Sequence, residues 1–257
     1  MPFYLVMGVI GSTYIILILA MMVADFSYTS PGHIWEALAS REIQYAIKLS
    51  LITCTITMVL SVVVAIPIGY FMARFEFRLK KFLDAVLDIP IVLPPLVIGL
   101  SLLILFQTAP GQFIESHLRI TYTVYSIVIA QFMVACAFAV RTMHVTFMQI
   151  NNRQEQVALT LGCNQQQSFI HILLPQAKNG ILTAASLAWA RALGEFGPIL
   201  IFSGATRMRT EVLPTTVFLE MSVGNIEAAV AVSLIMIAAG FAVLMVVRMF
   251  GDKTTAL

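Results

Sequence analysis

Two ionisable residues, Arg191 and Glu195, stand four positions apart inside the apolar stretch 177–203. On a helix this spacing places both side chains on one face. A charged side chain at mid-membrane costs about 2.5–3.5 kcal/mol, so neither should face lipid. The pair is therefore either an internal ion pair that fixes helix packing or a polar patch that lines or gates a path for an anion. The charge of Glu195 would repel an anion, which argues against a simple anion-binding ring.

Small and cyclic residues crowd the turn around Glu195, at Gly194, Gly197 and Pro198. Such a cluster predicts a kink or a helix break, and a break permits gate motion. The predicted translocation path or gate therefore consists of Arg191, Glu195, Gly197 and Pro198.

Upstream, Gly180, Ala184, Ala188 and Ala192 recur at four-residue intervals. This small-residue stripe predicts close packing against another span or the same span of a second copy.

A second region is polar, residues 151–175, and it lies between two long apolar runs. We call it the polar segment. Asn151 and Asn152 are plausible N-caps for a helix to about Leu161, and Gly162 suits the left-handed position that ends a helix. A second helix is expected over 165–173, ended by Pro175, with its apolar residues buried: Phe169, Ile170 and Leu173. Two short helices joined by glycine form a stiff protrusion that could dock into a groove. Its glutamines disfavour the alternative, a hairpin lying on lipid.

The composition places these residues in a membrane protein. Of the 257 residues, 60% are hydrophobic and 11% charged, and the mean hydropathy is +0.93. A soluble surface needs about a quarter of charged residues. The net charge of +2 does not indicate nucleic acid. The sequence has no P-loop, no metal-ligand spacing among its three cysteines and no intramembrane cluster of catalytic type. We therefore expect no catalytic residue, no metal site and no cofactor on this chain.

The apolar runs predict six membrane spans, at 3–24, 45–72, 89–108, 122–143, 177–203 and 226–248. The basic residues favour cytoplasmic termini, with nine inside: Arg74, Arg78, Lys80, Lys81, Arg141, Arg153, Lys178, Arg248 and Lys253. Five are outside: Arg41, Lys48, Arg119, Arg207 and Arg209. The polar segment then faces the cytoplasm. We expect one transmembrane domain, residues 1–257, with a first span at 3–24 and a core at about 45–248.

The third predicted span is irregular at its start. Residues 78–90 have the periodicity of an amphipathic helix at the inner membrane surface, where Asp84 and Asp88 are expected to pair with Lys80 and Lys81. Three prolines follow, Pro90, Pro94 and Pro95. They predict either a broken span beside a permeation path or a plain helix entry with proline in its first turn.

The polar segment resembles the EAA loop of ABC importer permeases, whose pattern is E-x-x-A-x-x-L-G with I-x-L-P thirteen residues on. The matching residues are Glu155, Ala158, Leu161, Gly162, Ile172, Leu174 and Pro175. Val157 stands where the family usually has alanine. The resemblance implies that these residues dock into a cytoplasmic ABC ATPase subunit, which holds ATP and Mg. Closure of the ATPase dimer would then drive the spans between inward- and outward-facing states.

Further motifs resemble the permeases for molybdate, tungstate and sulfate. They are A-R-A-L-G-E-F-G at 190–197, R-x-R-T at 207–210, N-I-E-A-A at 225–229 and the segment 89–106. The resemblance implies an all-α, six-span, type I ABC importer permease in the inner membrane of a prokaryote. Its partners would be ATPase subunits, an external substrate-binding protein and a second permease copy. Both permease copies would contact membrane lipid. Arg207 and Arg209 at the outer mouth would attract anions, contact the binding protein or simply be solvated.

The cargo implied is an oxyanion, with molybdate or tungstate ahead of sulfate. Three alternatives stay open at this point. The first is an ABC permease for another small solute, such as an amino acid or inorganic ion. The second is an ion-coupled secondary transporter, which would need no ATPase. The third is an intramembrane enzyme, which the absence of a converging cluster of catalytic residues disfavours.

Overall fold

The structure is a computed structural model that describes residues 2–251, and over that range it contains helices and no strand. Lys253, predicted to lie inside, falls outside the described residues. The first seven helices are α1 (Pro2–Tyr28), α2 (Pro31–Ala39), α3 (Arg41–Arg74), α4 (Lys80–Val92), α5 (Pro95–Gln107), α6 (Ala109–His117) and α7 (Val124–Gln149). The rest are α8 (Asn152–Thr160), α9 (Gln165–Ser168), a π-helical turn (Phe169–Leu173), α10 (Leu174–Gln176), α11 (Lys178–Leu193), α12 (Gly197–Phe202), α13 (Leu213–Ser222) and α14 (Ile226–Gly251).

Four helices in the described part of the chain are long and apolar enough to cross a membrane, namely α1, α3, α7 and α14. The pair α4 and α5 would make a fifth span if counted together, although it bends by 110°. The remaining predicted span, 177–203, is divided between α11 and α12, and neither is long enough by itself. The all-helical membrane architecture is thus confirmed, and the count of six spans stays a prediction.

The centre of the fold is formed by α3, α7 and α11, which pack against one another. The small-residue stripe explains how α11 fits: Ala184, Ala188 and Ala192 are fully buried. At Gly180 a side chain would collide with Thr146 of α7. The stripe therefore packs against spans of its own chain, the first of the two predicted arrangements.

The irregular start of the third span is a true break. Pro90 lies inside α4, which ends at Val92, and Pro95 is in the first turn of α5. The predicted pairing of the acidic residues of α4 with neighbouring lysines is wrong. Asp84 lies 2.9 Å from the Arg141 guanidinium, and Asp88 also forms an ion pair with Arg141. Arg141 is on α7, so both carboxylates tie the surface helix to the central bundle.

Candidate functional site

The first helix of the polar segment forms as the sequence predicts. The Asn151 side chain accepts a hydrogen bond from the Arg153 amide at 3.0 Å and caps α8. Gly162 ends the helix in the left-handed region, with φ of 94°. Asn164 then begins α9 with a reciprocal capping box, in which its side chain accepts from the Gln167 amide and the Gln167 side chain accepts from the Asn164 amide. Local capping chemistry thus builds two short helices joined by a tight turn.

The second half of the polar segment departs from prediction in two respects. Pro175 does not end the helix, because the chain continues through a π-helical turn into α10 and then α11. Pro175 follows the wider π-helical turn and lies in the first turn of α10. A residue without an N–H group is tolerated at that position. Ile170, predicted to be buried, is exposed, whereas Leu173 is fully buried and Phe169 partly so.

The residues that match the EAA pattern divide between an inner and an outer face. Ala158 is buried, and Ile172 and Leu174 are half-buried. Leu161 is 80% exposed, and Gly162 and Pro175 are exposed as well. Val157, which does not match the pattern, is 55% exposed. An apolar tip on an otherwise polar protrusion is a surface that a protein partner could cover.

Glu155 faces its own chain. Its carboxylate accepts a 2.6 Å hydrogen bond from the Tyr70 hydroxyl and lies 3.5 Å from Nε of Arg74. Both partners belong to the last turns of α3. Reasoning from the sequence missed these two residues, although their four-residue spacing at the inner end of a predicted span was a usable signal.

The ion pair between Arg191 and Glu195 is present. Nη2 of Arg191 lies 2.8 Å from Oε1 of Glu195, whose side chain is 1% exposed. The guanidinium also stacks 5.5 Å from the centroid of the Phe138 ring, which is a cation–π distance. Both residues line a cavity of about 290 Å³ together with Pro94, Pro95 and Gly197. The pair is therefore both a packing element and part of a cavity wall.

The predicted break is also present, because α11 ends at Leu193 and α12 begins at Gly197 with Pro198 in its first turn. A buried glutamine of α7 supports it: Nε2 of Gln131 donates to the Ala192 carbonyl at 3.1 Å. A broken helix at membrane depth needs such a partner for its freed carbonyls. Gln131 is a third residue of the candidate site that reasoning from the sequence missed.

On the opposite side of the fold, Arg207 is not simply solvated. It forms ion pairs with Glu42 of α3 and with Glu220 of α13, the latter at 2.8 Å. Arg209 is exposed, and its backbone carbonyl accepts a hydrogen bond from the Tyr45 hydroxyl at 3.2 Å. Glu211 is fully buried, and neither of its carboxylate oxygens has a hydrogen-bond partner in the described part of the chain. Burial raises the pKa of Glu211 above the ordinary carboxyl range.

These features fit a membrane subunit with a braced polar segment at one end and a broken helix beside a cavity that Arg191 and Glu195 line. The family model for the binding-protein-dependent transport system inner membrane component matches residues 65–255. The chain belongs to this family. It is a permease subunit of an ABC importer, as the resemblance of its polar segment implied, and an integral membrane protein with several spans.

Curated relatives of the permease extend over most of the chain. The sulfate transport system permease protein CysT of Salmonella typhimurium is 28% identical over 233 residues, covering 90% of this chain and 84% of the relative. The molybdate/tungstate transport system permease protein WtpB of Pyrococcus abyssi is 36% identical over 156 residues, 61% of this chain and 59% of the relative. A probable molybdenum ABC transporter permease protein of Haloferax volcanii is 29% identical over 250 residues, 97% of this chain and 89% of the relative.

Among solved structures, a chain of a bacterial alginate ABC transporter in complex with an alginate-bound periplasmic protein superposes with a TM-score of 0.76. It is 14% identical and covers 98% of this chain and 96% of its own. A chain of an amino acid ABC transporter reaches a TM-score of 0.54 at 16% identity, covering 80% of this chain and 94% of its own. At these identities the likeness establishes the fold alone.

Proposed function

We propose that this permease forms the translocation pathway for a small tetrahedral oxyanion, with molybdate or tungstate ahead of sulfate. The main support for an importer that is driven from the cytoplasm is the polar segment, which is a braced protrusion with an exposed apolar tip. The cargo class rests on relatives named for sulfate, molybdate/tungstate and molybdenum transport. Relatives named for molybdate/tungstate or molybdenum match part of the chain at 36% identity over 156 residues and nearly all of it at 29% over 250 residues, which supports placing that cargo ahead of sulfate.

The driving force would come from separate ATPase subunits that hold ATP and Mg. Docking of an ATPase on the polar segment would convert closure of the ATPase dimer into displacement of the spans. An external binding protein would deliver cargo to the opposite face. A second, identical permease copy would supply the other half of the path, since one copy of this bundle lacks a facing half. Both termini and the polar segment would be cytoplasmic, in the inner membrane of a prokaryote.

The cavity at the helix break supports a gate at Arg191 and Glu195, with Gly197 and Pro198 providing the bend. Arg191 is about one-third exposed, whereas Glu195 is buried. The positive member of the pair is thus the one that a passing anion would meet. This asymmetry weakens the objection that the Glu195 charge would repel the cargo.

The test is uptake by proteoliposomes that contain the permease purified together with its ATPase and its binding protein. We expect ATP-dependent accumulation of molybdate or tungstate, measured by metal analysis, at lower concentrations than [³⁵S]sulfate. Exclusive uptake of an amino acid or another ion would support the alternative ABC cargo. Uptake by the permease without any ATPase would refute the proposal and favour an ion-coupled secondary transporter.

A further inference from the structure

Tyr70 contacts both halves of the polar segment at once. Its hydroxyl donates to Oε1 of Glu155 in α8 at 2.6 Å. Its ring packs edge-on against Phe169 of the π-helical turn, with centroids 4.9 Å apart. A hydrogen bond to a carboxylate is among the stronger kinds in proteins. One side chain of α3 therefore joins the two short helices that Gly162 separates.

Arg74 secures the same segment through a different set of atoms. Nη2 donates to the Ile150 carbonyl at 3.1 Å, and Nη1 donates to the Asn152 side chain. Nε faces Glu155 at 3.5 Å, with the Arg74 side chain 8% exposed and that of Glu155 15% exposed. The planar guanidinium thus donates two hydrogen bonds and forms an ion pair, without a hydrogen bond, to a third group, in fixed directions that a lysine cannot reproduce. The low exposure also shields the ion pair from solvent screening.

The base that carries these two residues is rigid. Gly69, next to Tyr70, packs so closely on α7 that a Cβ would lie 2.7 Å from Met143 Cβ. Phe147 of α7 is fully buried and packs against the Tyr70 ring, with centroids 5.6 Å apart. A force applied to the Tyr70 ring is thus transmitted to both α3 and α7.

We propose that Tyr70 and Arg74 are positioning residues that lock the polar segment to α3 through Glu155, so that displacement of the segment moves the second predicted span. This inference rests on the proposed function, in which an ATPase displaces the segment. In this arrangement Glu155 serves the connection within the permease. Contact with the ATPase is made by the outward apolar tip, which includes Val157 and Leu161.

If Tyr70 and Arg74 lock the polar segment to α3, substituting them should uncouple transport from ATP hydrolysis while the importer still assembles. In the complete importer, Tyr70→Phe removes the hydroxyl but keeps the ring on Phe169. We expect the cargo carried per ATP hydrolysed to fall about tenfold, because a hydrogen bond to a charged group is lost. The ATPase should still co-purify and hydrolyse ATP. Glu155→Gln should act similarly, and the double variant should be no worse than either single one, since all break one contact.

Matched controls separate the lock from general effects of substitution. Tyr125→Phe changes an exposed tyrosine of α7, and Arg78→Lys changes an exposed arginine four residues after Arg74. Both should keep the wild-type ratio of transport to hydrolysis, whereas Arg74→Lys should lower it. A wild-type ratio in Tyr70→Phe, additive losses in the double variant, or loss of the ATPase from the complex would overturn the inference.

A second measurement keeps this inference separate from the proposed function. Amide hydrogen exchange in α8 of the purified wild-type complex should be slow, and Tyr70→Phe should speed it about tenfold. If the wild type shows no ATP-driven uptake, the proposed function fails, and exchange still reports whether Tyr70 anchors the segment. Equal exchange in wild type and variant would overturn the anchoring itself.

Discussion

The contact between α3 and α7 at Gly69 gives a sharp prediction for the variant Gly69→Ala. The added methyl group would lie 2.7 Å from Met143 Cβ and 2.8 Å from the backbone nitrogen of His144. Ordinary contacts of a Cβ atom are 3.4–4 Å. Because one obstacle is backbone, no rotamer change relieves it, and the two helices must separate by roughly 1 Å. Such overpacking typically costs about 1–3 kcal/mol.

The assay is thermal unfolding of the detergent-purified permease at a fixed scan rate, followed by tryptophan fluorescence. For a chain of this size the cost corresponds to a midpoint lowered by about 2–10 °C. Alanine also favours a helix over glycine by about 1 kcal/mol, which would offset part of the loss. Gly8→Ala and Gly11→Ala measure that gain separately, because no atom lies within 4 Å of a Cβ at either position.

We therefore expect both control variants to unfold at or slightly above the wild-type midpoint, and Gly69→Ala to unfold below it. A Gly69→Ala protein that unfolds at the temperature of the controls would refute the close approach of α3 and α7. It would also remove the rigid base proposed to support Tyr70.

Substitutions at the proposed gate, at the turn of the polar segment and at the buried Glu211 have distinct expected effects. Arg191→Ala and Glu195→Ala should each abolish uptake while the ATPase still co-purifies, since each leaves a charge without its partner; normal uptake in both would exclude the gate. Gly162→Ala places a side chain at φ of 94°, a strain of about 1–2 kcal/mol, and should reduce ATP-driven uptake; unchanged uptake would exclude a rigid protrusion. Because burial raises the pKa of Glu211, the folded chain keeps a proton that the unfolded chain releases, so stability falls as pH rises above the ordinary carboxyl range. Glu211→Gln should remove this loss, so the unfolding midpoint at pH 7, taken relative to the midpoint at pH 4, should be higher in the variant than in the wild type. The same pH profile in both proteins would contradict the assignment.

Features set by local chemistry were predictable from the sequence. Long apolar runs become helices because a bilayer leaves backbone groups no other partners, and α1, α3, α7 and α14 follow these runs. The cap at Asn151 and the left-handed Gly162 depend on a few neighbouring atoms. The break after Leu193 follows from the crowding of glycine and proline.

Pairings between distant residues were not predictable in the same way. Asp88 had two lysines about two helical turns away on its own helix, yet it pairs with Arg141, 53 residues away, because α4 packs against α7. Glu155 and Tyr70 are separated by 85 residues. Such partners depend on how helices pack, and periodicity within one helix carries no information about that. The inner orientation of Glu155 was missed for this reason.

The two irregular elements of the fold meet each other, and this juxtaposition favours a hinge at the proposed gate. A Cβ on Gly99 of α5 would lie 2.7 Å from the Cα of Pro198, and one on Gly197 would lie 3.0 Å from the backbone nitrogen of Leu96. Contacts this close require α5 and α12 to move together. Each begins just after a break in the helical hydrogen-bond ladder, and bending there ruptures fewer bonds than bending within a continuous helix. Bending is therefore expected at this junction, beside the pair of Arg191 and Glu195, rather than within α3 and α7, which move as one packed unit.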